Sequence, residues 1–193
     1  VLALITQSMV RLRAMIDSLL SYNAIRSSKE DLSELEFSQL ITKINSHFEH
    51  RLVARKQSLC WHYELPEQPL EIAAELVEKI LIQLISNGLK FSPAGQAVNI
   101  ALSLAGRTLT MSVSDQGTGI KEQEKSHIFS AFYQGKNAKD ITAQGSGLGL
   151  TIVKESVEQL MGTLHVEHNE PQGCRFIIQI PIIPPTNKNQ GVN

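Results

Sequence analysis

A chain of 193 residues, 42% of them hydrophobic and 19% charged, has the size and composition of an ordinary soluble globular protein of one or two small domains. A formal net charge of -1 excludes a global attraction to nucleic acid or to an anionic membrane, so any anionic ligand must be held by local groups. Cys60 and Cys174 lie far apart and in no CxxC pair, which points away from a disulfide framework or a zinc site and toward a reducing compartment. No apolar run approaches the roughly 18 residues of a membrane span. Opening on Val1, the chain reads as a fragment of a larger protein whose signal or span would lie elsewhere.

The first segment carries Leu2, Ile5, Met9, Leu12, Ile16 and Leu19 at alternating steps of three and four, a heptad seam that Asn23 and Arg26 continue in phase. Its narrow stripe predicts one long coiled-coil-type helix of a dimeric bundle over a helix packed on its own domain. Polar Ser27 to Glu34 marks a boundary. Leu35 to Phe37 then predicts a short strand, Ser38 to Arg55 a helix, and Ser58 to Leu65 a strand closed by the turn "PEQP".

From Leu70 a long amphipathic helix is expected, with Leu76, Ile80, Leu84 and Ile85 on its buried side. It should end at Ser92-Pro93, because proline disfavours helix in the residue before it. Val98, Ile100, Leu102 and Leu104 share a face of one strand, Leu109, Met111 and Val113 a face of the next, and "LAGR" joins them as a hairpin. Next come "DQGTGI", a short helix "KEQEKSHIFSAF", a polar stretch "YQGKNAKDITAQ" and a helix opening on "GSGLGL". Strands "TLHVEH" and "CRFIIQI" follow, and beyond Pro181 lies a tail or linker. Hairpins interspersed with helices imply a two-layer α/β (α+β) sandwich, a mixed, mostly antiparallel sheet covered by helices.

Three separated segments place short polar groups or glycines at element ends. In "DQGTGI", Asp115 follows a strand, and Gly117 and Gly119 would let a ligand approach the backbone. Six residues alone also fit an ordinary tight turn. In "GSGLGL", glycines run into a helix whose free N–H groups and positive end suit phosphate, although a plain flexible loop has the same composition. It follows no strand and no "GK[ST]" occurs, so neither the dinucleotide fingerprint nor the Walker loop applies. On the long helix, Gln83 and Asn87 share a face with Lys90 nearby; amide oxygens there suit Mg2+, or simply a solvated face.

Taken in order, "NGLKF", "DQGTGI" and "GSGLGL" resemble the catalytic and ATP-binding domain of sensor histidine kinases, in the superfamily of gyrase, the heat-shock chaperone, the kinases and the mismatch-repair proteins. The resemblance runs from about Leu35 to Pro181 and includes the phenylalanine box "IFSAFYQG" and the closing hairpin. It implies that Asp115 accepts a hydrogen bond from the adenine amino group, with Gly117, Gly119 and Ile120 shaping that pocket. It further implies that Asn87 and Gln83 hold Mg2+, that Lys90 contacts phosphate, that Gly145, Gly147 and Gly149 lie near the phosphates of ATP, and that Phe91, Leu148 and Leu150 also belong to the nucleotide-binding set. Lys121 to Gln144 would be the lid.

Residues 1–28 then resemble part of a dimerisation and histidine phosphotransfer hairpin, 29–183 the catalytic domain and 184–193 a tail. The implied partners are a response-regulator receiver domain and a second copy through the hairpin, with no nucleic acid and no membrane contact. The implied setting is the cytoplasmic portion of a sensor, membrane-anchored or not. None of the six histidines fits the acceptor box H-[ED]-x-[RK]-x-P, so the acceptor is expected outside this chain. Gln83 stands where an asparagine is common, and Gln134 where many members carry arginine, with Lys136 or Lys139 as substitutes. These departures keep open a weak or inactive nucleotide-binding module; an ATP hydrolase of the superfamily would generally need a glutamate on the long helix where this chain has Gln83.

Overall fold

The computed structural model describes residues 32–135 and 146–182, together with Met9, Ile16, Leu19 and Leu20. Gly145, Lys136, Lys139, the tail and the rest of the first segment lie outside the described residues. The four residues described in that segment are helical, and Met9, Ile16, Leu19 and Leu20 are all exposed.

The chain enters through β1 (Ser33–Leu35), which pairs antiparallel with β3 (Leu70–Ile72) in a small two-stranded sheet. Both depart from the periodicity. The first strand lies two residues earlier than expected, because Phe37 already starts helix α1 (Phe37–Arg55) and turns its ring into the core. Leu70 to Ile72, expected as the first turn of the long helix, is instead strand β3, and α2 spans Ala74–Phe91. Pairing with a distant strand outweighs a helical pattern that three residues carry only weakly.

The main sheet has the order β2-β4-β5-β7-β6, comprising β2 (Ser58–Glu64), β4 (Ala97–Ala105), β5 (Thr108–Ser114), β6 (Thr163–His168) and β7 (Cys174–Pro181). β2 runs parallel to β4, and every other neighbouring pair is antiparallel, so the sheet is mixed and mostly antiparallel as expected. The β4–β5 hairpin closes after the pair Ala105–Thr108, where Gly106 takes a φ of 59° that other residues resist.

One face of the sheet is covered. Val98, Ile100 and Leu102 of β4, Leu109, Met111 and Val113 of β5, and Phe176, Ile178 and Ile180 of β7 join Leu76, Ile80, Leu84 and Ile85 of α2 in a single core. Helix α4 (Gly149–Gln159) adds Ile152, Val153 and Val157. On the other face β4 and β5 carry Asn99, Ala101, Ser103, Thr108 and Thr110, which are partly exposed. Apart from Ser112, which is buried on that second face, the alternation of β4 and β5 reads as inside and outside.

Helix ends locate the site. α2 stops at Phe91, before Ser92 and Pro93, and its last carbonyls are not left bare. The Gln57 amide donates to Leu89 O at 3.0 Å and Pro93 O at 3.1 Å, and Arg55 donates to Leu89 O at 2.9 Å and Ser92 O at 3.2 Å. These bonds supply partners that a helix C-terminus lacks internally. The segment expected as the helix "KEQEKSHIFSAF" keeps only one turn, α3 (Glu122–Lys125); turns and bends continue to Phe132.

Candidate nucleotide-binding site

The C-terminal half of α2, the chain leaving β5 and the start of α4 meet around a cleft of about 330 Å³, within the usual range of small-molecule pockets. Its wall brings Asp115, Asn87, Gln83, Lys90, Gly147 and Gly149 together from three distant stretches of sequence. Phe91, Gly119, Ile120 and Leu150 also line it. Leu148, grouped with them from its motif, is instead 1% exposed and fills the core at the N-terminal end of α4. Gly117 is not a wall residue; it supports Asp115 from behind.

Asp115 is the buried carboxylate of the cleft. Its Oδ1 accepts from the N–H of Gly117 at 2.8 Å and from the N–H of Cys174 at 3.2 Å. Among the described residues its Oδ2 receives no hydrogen bond, so one acceptor remains for a donor entering the cleft. Burial pushes the Asp115 pKa upward, against the pull of the two backbone N–H groups.

The backbone of Asp115 is fixed as firmly as its side chain. Its N–H donates to Cys174 O at 2.9 Å, and its own carbonyl accepts from Asn169 Nδ2 at 2.8 Å. The next residue is held too: Gln116 N–H donates to the Ser92 hydroxyl at 3.1 Å, and Gln172 Nε2 donates to Gln116 O at 3.2 Å. Gly173 lets the β6–β7 turn come this close. It has a φ of 109°, and a Cβ there would sit 2.0 Å from the Asp115 carbonyl oxygen.

Asn169, Gln172, Gly173 and Cys174 had no assigned role from sequence, since nothing in their spacing refers to Asp115. The only signal is the β5–β7 register, in which Ser114 faces Arg175 and the next residue therefore meets Cys174. Cys174 also lines the cleft, and its thiol is pushed up to about 12, by burial first and by the Asp115 charge second. It stays protonated at neutral pH and is a poor nucleophile there.

At the opposite end, the glycine loop meets α2. A Cβ on Gly149 would lie 2.8 Å from Gln83 Oε1 and 3.8 Å from Asn87 Nδ2, so the bare backbone brings both amides against the start of α4. Gly147 has a φ of 73°, and its carbonyl accepts from the Phe132 N–H at 3.0 Å. Thr151 Oγ1 donates to Phe129 O at 3.2 Å. The phenylalanine segment is thus tied by one bond to the glycine loop and by another to the first turn of α4.

Among the described residues no three His, Cys, Asp or Glu side chains gather as a metal cluster. The protein supplies neutral amide oxygens at Gln83 and Asn87. That donor set fits a hard cation which keeps waters and takes its anionic ligands from a bound phosphate, as Mg2+ does. Lys90 stands nearby with Nζ 4.9 Å from the centre of the Phe91 ring, and its pKa is lowered by burial and by the neighbouring Arg51.

Glu78, an acid on α2 five residues before Gln83, is not part of the cleft wall and pairs with Lys43 at 2.7 Å. Among the described residues no helix is long and apolar enough to cross a membrane.

Residues 73–184 match the family described as Histidine kinase-, DNA gyrase B-, and HSP90-like ATPase. The chain is 36% identical over 152 residues to the sensor histidine kinase TmoS of Ectopseudomonas mendocina, covering 78% of this chain and 15% of that protein. Over 179 residues it is 31% identical to the autoinducer 2 sensor kinase/phosphatase LuxQ of Vibrio vulnificus, covering 89% of this chain and 21% of that one. The chain therefore spans about a fifth or less of the length of these curated relatives.

Among solved structures, full-length ShkA in complex with AMPPNP superposes with a TM-score of 0.76 at 23% identity, covering 91% of this chain and 36% of that one. The catalytic domain of histidine kinase ThkA superposes at 0.69 with 25% identity, covering 79% of this chain and 96% of that one. With its mixed sheet and this family match, the chain belongs to the histidine kinase-, DNA gyrase B- and HSP90-like ATPase family, and within it is similar to sensor histidine kinases.

Proposed function

We propose that this domain binds ATP with Mg2+ and transfers the γ-phosphoryl group to a histidine outside this chain, for relay to a response regulator. The observation that carries the reading is Asp115. A buried carboxylate with one oxygen satisfied and the other without a partner among the described residues faces, across one cleft, two amides, a lysine and a glycine loop at a helix N-terminus. Asp115 Oδ2 accepts from the adenine amino group, and Ile120 and Phe91 cover the ring. Gly147, Gly149 and the positive end of α4 receive the phosphates.

Lys90 offsets phosphate charge, and the amide oxygens of Asn87 and Gln83 hold the cation. Mg2+, when bound, supplies neutralisation of the β- and γ-oxygens. The bond from the γ-phosphorus to the ADP oxygen breaks as a phosphorus–nitrogen bond to imidazole forms. The chain contributes position and electrostatics rather than a nucleophile.

The histidine kinase ThkA has a structure in complex with response regulator protein TrrA, which supports a receiver as partner of this domain. The exposed Met9, Ile16 and Leu19 support a dimer through the leading helix, which residues 1–28 would contribute to a phosphotransfer hairpin. A cytoplasmic setting follows from that chemistry. Glu78, already paired with Lys43, offers nothing to the hydrolase alternative.

Calorimetry with ATP, with and without Mg2+, followed by phosphotransfer to a supplied acceptor helix, tests the proposal. Metal-dependent binding and transfer to histidine are expected. Binding without transfer to any docked acceptor would favour the inactive module, and rapid hydrolysis by the chain alone the ATPase.

A further inference from the structure

Helices α1 and α2 run in the same direction, and three basic side chains of α1 reach across to α2 at successive levels. Lys43 pairs with Glu78 at 2.7 Å. Arg55 donates to the carbonyls at the end of α2, at Leu89, and just beyond it, at Ser92. Arg51, one turn before Arg55, has no such employment. Its Nη1 donates one long bond, 3.4 Å, to the Ser86 hydroxyl, and no carboxylate faces it among the described residues.

Its surroundings make that idleness costly. Arg51 is half-buried, and its neighbours Arg55 and Lys90 carry the same sign. Burial and that mutual repulsion disfavour charge on both Arg51 and Lys90. A chain of net charge -1 has acids to spare, yet none is placed here. Ser86 and Lys90 both line the cleft, on either side of Asn87 along α2. A guanidinium tethered loosely at that rim has a planar fork of donors suited to phosphate oxygens.

We propose that Arg51 is a phosphate-binding residue of this site: its guanidinium leaves Ser86 and, with Lys90, clamps the terminal phosphates of a bound nucleoside triphosphate. The assignment rests on the ATP-site reading above and adds to it a cation from α1, outside every motif of the cleft.

The test compares the unaltered chain with Arg51→Gln and Arg51→Lys, using ATP by calorimetry and adenosine by NMR titration at fixed salt. Arg51→Gln should weaken ATP about tenfold, the scale of a lost charge-assisted hydrogen bond. Adenosine affinity should stay within about twofold, and Arg51→Lys should recover part of the loss by restoring the charge. Unchanged ATP affinity in Arg51→Gln would overturn the assignment, as would equal losses for ATP and adenosine, which mark a structural role. An unaltered chain that binds neither ligand would instead bring down the ATP-site reading, and this inference with it.

Discussion

Asp115 is kept where a soluble domain would not place a carboxylate for stability alone. It is 7% exposed, and its charge is only half satisfied, by Gly117 and Cys174 N–H groups. Because its folded pKa is raised, the folded state holds its proton more tightly than the unfolded chain does. The associated stability is full below the ordinary carboxylate range and is lost as pH rises through the raised value. Asp115→Asn keeps an acceptor for both N–H groups and removes the buried charge. Its Tm should therefore exceed that of the unaltered chain at neutral pH, with the gain shrinking toward pH 4. ATP affinity should fall more than tenfold, since about 1.5–3 kcal/mol attends a hydrogen bond to a charged group. Thermal scans across pH and calorimetry check the two halves separately. Loss of binding without the pH-dependent gain in Tm would contradict this account of the burial.

The element that organises the molecule is α2. Its buried side is wider than four residues, for Val77, Leu81 and Leu89 join Leu76, Ile80, Leu84 and Ile85 at 2% exposure or less. The helix lies under the sheet, against α1 and against α4, so apolar residues are needed on three sides. The remaining stripe, with Gln83, Asn87 and Lys90, is the cleft wall. Packing and chemistry therefore divide one helix lengthwise. Ile80→Ala should cost about 2–5 kcal/mol in chemical denaturation, the range for emptying a well-packed core position. Val53→Ala on α1, 75% exposed, should stay within about 0.5 kcal/mol.

At the scale of the whole molecule, the site has no continuous stretch of chain behind it. α2 supplies amides and a lysine, the β5 exit supplies the carboxylate, and the β6–β7 turn locks that carboxylate through Asn169, Gln172 and Gly173. A ligand that spans the cleft should therefore stabilise the entire fold. ATP with Mg2+ at a hundredfold excess over its Kd should add about 2.7 kcal/mol, seen as a rise in Tm. Chelating the metal should remove part of that rise if Gln83 and Asn87 hold the cation as proposed, because two neutral amides need the phosphate as a further ligand. An identical rise with and without chelator would exclude Gln83 and Asn87 as metal ligands.

Much of this was legible along the chain. The alternation of Val98 to Leu102 and Leu109 to Val113, the stop at Ser92-Pro93 and the carboxylate after the strand all depend on neighbours a few residues away. Local rules govern such features, and single segments display them. Where the reading failed, long-range contacts decided. Leu70 to Ile72 is a strand because Ser33 to Leu35 lies beside it, and Leu148 turns inward because the start of α4 packs on the core. The clamp of Asn169 and Gly173 on Asp115 joins residues 54 or more positions apart. Sequence alone determined which groups were available to bind a nucleotide; only tertiary packing decided which of them face one cleft, because side-chain direction depends on what each element is packed against.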